Sequence, residues 1–289
     1  MTTPETPAPI AAPDSPLVTQ LIGSPNHGER KGERGIDMII LHYTGMPAGR
    51  GMTMAERAIT WLSMPQSQVS AHYVVDEDGT ITQMVAEDRR AWHAGLSCWA
   101  GETDINSCSI GIEIAYAGYP WEGIYPDDPA CEIVGHPGLR PYPDAQVDAV
   151  IALTADIARR RAIAPERVLA HSDIAPARKS DPGELFPWAR LHAAGLGHFV
   201  DPAPIGGGRF FQFGDAGPPI EALQAMFAVY GYALPITGTF DEATKAVVTA
   251  FQRHFRPAHL VFEAGTPVAE DVDVRGGVII EGVPGGEAD

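Results

Sequence analysis

Four side chains of this sequence have the types and placing for hydrolytic chemistry. They are His42 in "MIILHYTG", and His171, Lys179 and Asp181 in "LAHSDIAPARKSDPG". Two neutral imidazoles and one carboxylate form a three-ligand set that leaves a zinc ion a fourth position for water. Zinc draws the pKa of such a water down to about 7, so hydroxide forms near neutrality. His171 and Asp181 flank a turn containing Pro176, so both can point at one ion. Asp181 precedes Pro182, which favours extended backbone there. In an extended stretch Lys179 and Asp181 project to the same side. Taken singly, each residue also has an ordinary reading: a structural histidine among ten in the chain, or a solvated lysine. No HExxH helix supplies the ligands from one element, so separate segments must bring them together.

Those segments are legible in outline. "GIDMIILHYTG" is an apolar run bounded by glycines and predicts a buried strand. By alternation Ile36, Met38, Ile40 and His42 share one face, with His42 at the strand's end. "TMAERAITWLSM" predicts a helix capped by Thr53, with Glu56 three residues on. "SAHYVVDEDGTITQMV" predicts a hairpin turning at Asp78-Gly79. "SCSIGIEIAYAG" predicts a strand with Ile110, Ile112 and Ile114 on one face. Glu113 then stands as a lone charge on the other face, among Ser109, Gly111 and Ala115. A long Pro-, Gly- and aromatic-rich loop spans about Tyr116–Tyr142, a length often associated with function. "PDAQVDAVIALTADIARRR" predicts an amphipathic helix through Val147, Val150, Ile151, Thr154 and Ile157. "PERVLAHSDI" ends a short strand near His171. Strands and helices in this order imply an α/β (α+β) fold with a central sheet.

The boundaries follow composition. Residues 1–20 are Pro/Thr/Ala-rich and predict a disordered arm. Residues 21–199 form the main domain, and the Gly/Pro-dense stretch 200–213 a linker. Residues 214–258 predict a small helical unit, its second helix boxed by Thr239 and Glu242, with Ala243, Val247, Phe251 and Phe255 on one face. The acidic, Gly-rich tail 259–289 adds a strand at "GGVIIEGV" or stays mobile.

Composition sets the outer limits. At 289 residues and 45% hydrophobic content the chain can bury a substantial core. A net charge of −17 argues against non-specific nucleic-acid binding and against anionic membranes. No run approaches the roughly 20 apolar residues of a membrane span. The N-terminus has neither the basic start nor the apolar stretch of a secretory signal. Cys98, Cys108 and Cys131 are an odd, sparse set that reads as free thiols in a reducing compartment. A Cys98–Cys108 bridge across a loop is the alternative.

Six segments in register, "DMIILHYTG", "SAHYVVDEDGTITQMV", "AWHAG", "NSCSIGIEI", "LAHSDIAPARKSDPG" and "FPW", resemble the type 2 N-acetylmuramoyl-L-alanine amidases. That family shares a fold with peptidoglycan recognition proteins. The resemblance covers about Leu21–Leu196 and implies a zinc-holding mixed β-sheet flanked by helices. Its metal positions fall on His42, His171 and Asp181. Its recycling-type members place a catalytic glutamate at Glu113 and a lysine at Lys179. Where some relatives carry a tyrosine before the second-strand histidine, this chain has Ala71, which shifts the base role towards Glu113. His93 falls on a substrate-cleft position, a packed loop histidine being its other reading. Asn106 lines the cleft or turns its loop, and His72 reads as structural. Residues Gly214–Phe255 resemble a peptidoglycan-binding helical domain.

The resemblance implies a zinc amidase cutting between (anhydro)N-acetylmuramic acid and L-alanine of a stem peptide. Its partners would be muropeptides, anhydromuropeptides or the sacculus. The competing class is a recognition module that binds muropeptides without cutting. Non-catalytic relatives typically lack a zinc ligand, which this chain does not. The missing export signal points to the cytoplasm, whereas a peptidoglycan-binding domain points to the envelope.

Overall fold

Strand β3 (Met38–Tyr43) is the spine of the molecule, and Met38, Ile39, Ile40 and Leu41 are fully buried there because both sheet faces are covered. A computed structural model describes residues 10–49, 51–118, 141–203, 209–257 and 278–280. Within these, the strands of the main domain are β1 (Gln20–Leu21), β2 (His27–Glu29), β3, β4 (Tyr73–Val75), β5 (Ile81–Gln83), β6 (Arg89–Ala91), β7 (Ser109–Ile114) and β8 (Val168–Ala170). Among the described residues the main sheet runs β1-β5-β4-β7-β3-β8. β7 and β8 flank β3 in parallel, β4 joins β7 in parallel, and β4–β5 is the antiparallel hairpin. The sheet is therefore mixed, as expected.

Helices cover both faces. They are α1 (Met54–Leu62), α2 (Ile105–Cys108), α3 (Asp144–Arg161), α4 (His171–Ile174) and α5 (Trp188–Ala193). α3 lays Val147, Val150, Leu153 and Ile157 against Ile39, Leu41, Ile110, Ile112 and Ile114. Its buried Gln146 donates to the carbonyls of Val75 and Ala115, which fixes the helix over the strand ends. Ile36 packs on this side too, because β3 begins only at Met38 and the alternation does not reach back to it. On the opposite face α1 covers Val74 and Ala115, while Met38 and Ile40 belong to a separate cluster with Trp99, Ile105 and Leu169. The two coverings leave a gap over the ends of β3 and β7.

Local signals explain most element ends. Thr53 Oγ1 accepts from Glu56 N–H (3.1 Å) and Glu56 Oε2 from Thr53 N–H (2.7 Å), the expected capping box. Gly79 turns the β4–β5 hairpin at φ +87°, and a Cβ there would meet the Ala145 carbonyl oxygen at 2.9 Å. Tyr116 and Tyr142 stack with ring centroids 4.1 Å apart, so the ends of the expected long loop are held together. Residues 119–140 of that loop, Cys131 among them, lie outside the described residues. Cys98 and Cys108 are free thiols, so the bridge alternative is not realised.

Three expectations are corrected. The arm over 1–20 is described from residue 10 and is fastened, not free: Asp14 N–H donates to Gln83 Oε1 (2.9 Å), Asp14 Oδ2 accepts from Glu87 N–H (2.8 Å), and β1 pairs with β5. The end of the expected linker is strand β9 (Arg209–Phe211), paired antiparallel with β10 (Val278–Ile280) from the tail. In the small unit, α6 (Pro218–Tyr230) and α7 (Glu242–Phe255) form as expected, but Asp241 caps α7, accepting from Thr244 N–H at 2.9 Å. Thr239 lies before that turn and spends its carbonyl on Gln224. Ala243 is accordingly exposed, and Thr244 takes the buried place.

The small unit is not set apart. Ile220, Leu223, Phe227, Tyr232, Val247 and Val248 share one cluster with Met38, Ile40, Trp99 and Ile174. Trp99 packs edge-on to Tyr230 and Tyr232, and Ala100 N–H donates to the Gly231 carbonyl (2.8 Å). His254 stacks on Trp188 at 3.7 Å. No helix among the described residues is long and apolar enough to cross a membrane.

At the far end of the sheet, Glu87 is fully buried and accepts from Arg160 (2.6 and 2.8 Å), Arg161 (2.9 Å) and Tyr73 (2.7 Å). Burial pushes this carboxyl up, but the hydrogen bonds outweigh it and hold it down at about 2. A depressed carboxylate stabilises the fold above its unfolded value of about 4.3, and that share is lost as pH falls towards about 2. Glu87→Gln is expected to cost about 2–4 kcal/mol at pH 7 by leaving partly buried guanidinium groups uncompensated. Urea melts should show that difference shrinking at pH 3; an equal difference at both pH values refutes the assignment.

Candidate metal centre and active-site cleft

Three donor atoms converge at the carboxyl ends of two neighbouring parallel strands. His42 ends β3, His171 opens α4 directly after β8, and Asp181 returns in the turn that follows, tied by Ser172 N–H to the Asp181 carbonyl (3.0 Å). His42 Nδ1 lies 2.8 Å from His171 Nδ1 and 3.1 Å from Asp181 Oδ2, and His171 Nδ1 lies 2.9 Å from the same oxygen. All three are buried. They form the group of described residues able to hold a metal ion.

The chemistry of the donors fits a cation. His171 Nε2 faces the Ala94 carbonyl oxygen at 3.1 Å, and a carbonyl can only accept. The proton therefore sits on Nε2 and the Nδ1 lone pair points into the triangle. Zinc bonds of about 2.0–2.2 Å put tetrahedral ligand atoms roughly 3.3–3.6 Å apart, so the donors, now 2.8–3.1 Å apart, would spread by a few tenths of an ångström to hold the ion. Burial and then the neighbouring His171 bring His42 down to about 4, so it is neutral and able to ligate. Burial alone would raise Asp181, but His171 and His42 hold it well below the usual carboxylate range.

Glu113 is the register partner of His42 across β3–β7, so its side chain rises from the same face. Its Oε2 is buried, with no hydrogen-bond partner among the described residues. Burial first, then the Asp181 charge, push it up to about 8, while Lys179 pulls the other way. Lys179 and Asp181 both line the cleft, although their stretch is not the extended one that the sequence suggested. The cleft encloses about 470 Å³, with Trp61, Leu62 and Trp92 on its walls and the metal group and Glu113 on its floor. An apolar-walled cleft with a few convergent polar groups has the make-up of a small-molecule site.

Two expected substrate contacts take another form. His93 borders the cleft, but both ring nitrogens are engaged: Nδ1 is 3.0 Å from His42 Nε2 and Nε2 is 3.1 Å from Ser109 Oγ. Asn106 does not line the cleft. It is buried, and its Oδ1 accepts from the N–H groups of His93 (3.0 Å) and Ala94 (2.8 Å). It thus brackets the very segment whose carbonyl orients His171. His72 is structural, as read: its Nδ1 accepts from Gly111 N–H (3.0 Å) and its Nε2–H donates to the Arg89 carbonyl (3.1 Å).

Sequence reasoning passed over Asp173. Its Oδ2 accepts from Ala170 N–H (2.9 Å) and faces His254 Nδ1 (2.8 Å), while Oδ1 accepts from Tyr232 OH (2.9 Å). The small helical unit therefore grips the helix that carries His171. An acid three residues into a helix start was the available signal.

Comparison with known proteins agrees with this geometry. Residues 32–184 match the N-acetylmuramoyl-L-alanine amidase family, and residues 216–258 match a putative peptidoglycan binding domain. The chain is 36% identical over 232 residues to the N-acetylmuramoyl-L-alanine amidase AmiD of Escherichia coli K12, covering 77% of this chain and 75% of that protein. It is 31% identical over 183 residues to the 1,6-anhydro-N-acetylmuramyl-L-alanine amidase AmpD of Enterobacter cloacae, covering 60% of this chain and 87% of that one. Among solved structures, it resembles E. coli AmiD in complex with the substrate anhydro-N-acetylmuramic acid-L-Ala-D-gamma-Glu-L-Lys, with a TM-score of 0.60, 32% identity, and coverage of 81% and 90%. It also resembles AmpDh3 of Pseudomonas aeruginosa in complex with anhydromuramic pentapeptide, with a TM-score of 0.58, 29% identity, and coverage of 79% and 87%. With half of its length in one family match and more than three quarters aligned to a 36% identical relative, the chain belongs to the N-acetylmuramoyl-L-alanine amidases.

Proposed function

We propose that this amidase uses zinc, held by His42 Nδ1, His171 Nδ1 and Asp181, to hydrolyse the amide between the lactyl group of anhydro-N-acetylmuramic acid and the L-alanine of a stem peptide. One observation carries the reading: three buried donor atoms within 4.8 Å of one another, beside a buried carboxyl oxygen that has no partner among the described residues. Zinc bound there supplies a Lewis acid that polarises the scissile carbonyl and acidifies water. Glu113 takes the proton from the attacking water and returns it to the leaving amine nitrogen. Lys179, as ammonium, stabilises negative charge developing on the carbonyl oxygen. Trp61 and Trp92 in the cleft walls offer apolar surface to the substrate. A muropeptide recognition module would need none of these acid/base groups. The relatives solved with anhydromuramyl peptides support the substrate class. The free Cys98 and Cys108 suit a reducing cytoplasm.

His171→Ala is expected to lose the metal, since a direct ligand goes. Elemental analysis finding stoichiometric zinc in that variant refutes the ligand set. Mass spectrometry of an anhydromuramyl tripeptide incubated with the zinc-loaded protein should show free tripeptide. No release under zinc-replete conditions refutes the activity. Faster release from soluble anhydromuropeptides than from sacculi supports the recycling substrate, and the reverse order favours polymer.

A further inference from the structure

We propose that His93 is a positioning residue, which with Ser109 fixes the tautomer of His42 from a backbone carbonyl outside the cleft. The inference rests on the zinc reading above and adds to it how one ligand is held ready. The hydrogen-bond directions can be assigned from the outside inwards. The Ile105 carbonyl oxygen can only accept, and Ser109 Oγ lies 2.6 Å from it, so the hydroxyl donates there. Its proton spent, Ser109 Oγ accepts from His93 Nε2–H at 3.1 Å. A neutral imidazole with its proton on Nε2 has a lone pair on Nδ1. His93 Nδ1 therefore accepts from His42 Nε2–H at 3.0 Å. That leaves the lone pair of His42 on Nδ1, facing His171 and Asp181. Every joint is satisfied in one direction, and reversal would place two protons or two lone pairs at some joint.

The surroundings are shaped for this relay. The His93 backbone is held by Asn106, and its ring lies over Gly111, where any Cβ would overlap the imidazole. Gly111 sits between Ser109 and Glu113 on the site face of β7, so the absent side chain is what lets the ring reach both neighbours. His42 and His171 thus use the same device at different range. His171 reads the Ala94 carbonyl directly, and His42 reads the Ile105 carbonyl through two side chains.

Asparagine and leucine are nearly equal in size and shape, and only asparagine offers an acceptor where His93 Nδ1 lies. The test is zinc affinity of the full chain, measured by competition with a chromophoric chelator, for His93→Leu, His93→Asn and Ser109→Ala. His93→Leu should weaken zinc about 10–100-fold and His93→Asn no more than about threefold, the range typical of lost outer-shell partners. Ser109→Ala frees the His93 proton to move to Nδ1 and should fall between them. Long-range proton–nitrogen NMR should place the His42 proton on Nε2 in the wild-type chain. Equal zinc affinities for the leucine and asparagine variants overturn the proposal, as does a His42 proton on Nδ1. If His93→Leu fails to fold, an unchanged zinc affinity in Ser109→Ala overturns it. A wild-type chain that binds no zinc refutes the zinc reading itself, and the inference with it.

Discussion

Glu113→Gln is expected to lower kcat by about 10²–10⁴-fold while zinc stays bound, the span usual for a lost general acid–base group. Glutamine keeps the size of the side chain and removes only its ability to take and give a proton. None of the three metal donors is touched, so the metal content should not change. The buried setting makes the residue well suited to the part. Burial and Asp181 hold its carboxyl up at about 8, far above an ordinary glutamic acid. A zinc ion beside it would draw that value back towards neutrality, where a carboxyl both accepts a proton from water and surrenders it to an amine nitrogen. Among the described residues its Oε2 has no partner to compete for that proton. Stopped assays with an anhydromuramyl peptide, paired with elemental analysis, decide the matter. Turnover within a few-fold of wild type removes Glu113 from the mechanism, and loss of zinc along with turnover would make it a structural residue.

A chain ending at residue 203 is expected to lose its cooperative thermal transition, and with it most of its zinc affinity. Removing α6 and α7 uncovers Trp99, Trp188 and Ile174, each now 1–3% exposed. Exposing three such side chains costs roughly 5–9 kcal/mol at about 1.5–3 kcal/mol each, comparable to the whole stability of a typical domain. The same cut leaves Asp173 without the Tyr232 hydroxyl and His254. Asp173 is two residues from His171 on a four-residue helix, so the ligand loses its anchorage directly. Calorimetry and zinc titration of the truncated chain are the measurements. A sharp transition near the full-length Tm, with zinc affinity intact, would make the small unit an independent appendage.

Residue type made the metal group legible in the sequence. Few side chains ligate zinc, and "LAHSDIAPARKSDPG" concentrates two of them beside a lysine. The sheet was legible because parallel strands covered on both faces leave apolar runs such as "MIIL". Glu113 was legible because alternation puts a lone charge among Ser109 and Gly111, and the β3–β7 register then sets it level with His42. Non-local pairing hid the rest. The N-terminal arm has a disordered composition, yet Asp14 finds partners 69 and 73 residues away. His93 borders the cleft with both ring nitrogens engaged, whereas Asn106 holds the His93–Ala94 backbone and does not line the cleft. Which way an imidazole nitrogen points depends on a serine 16 residues on and on an absent Cβ at Gly111. The cap of α7 shifted from Thr239 to Asp241 because the preceding turn closes later than the spacing suggested.

The common core of the two units changes how anything gripped by the helical part would reach the floor of the cleft. A module on a flexible tether raises local concentration over a sphere whose radius follows the linker, and its gain falls as the linker lengthens. Here Trp99 is wedged against Tyr230 and Tyr232, and His254 lies flat on Trp188. The spread of approach angles is therefore removed before any ligand arrives. Grip by the helices would act as a fixed ruler, favouring ligands whose length spans one set distance and rejecting shorter or differently bent ones.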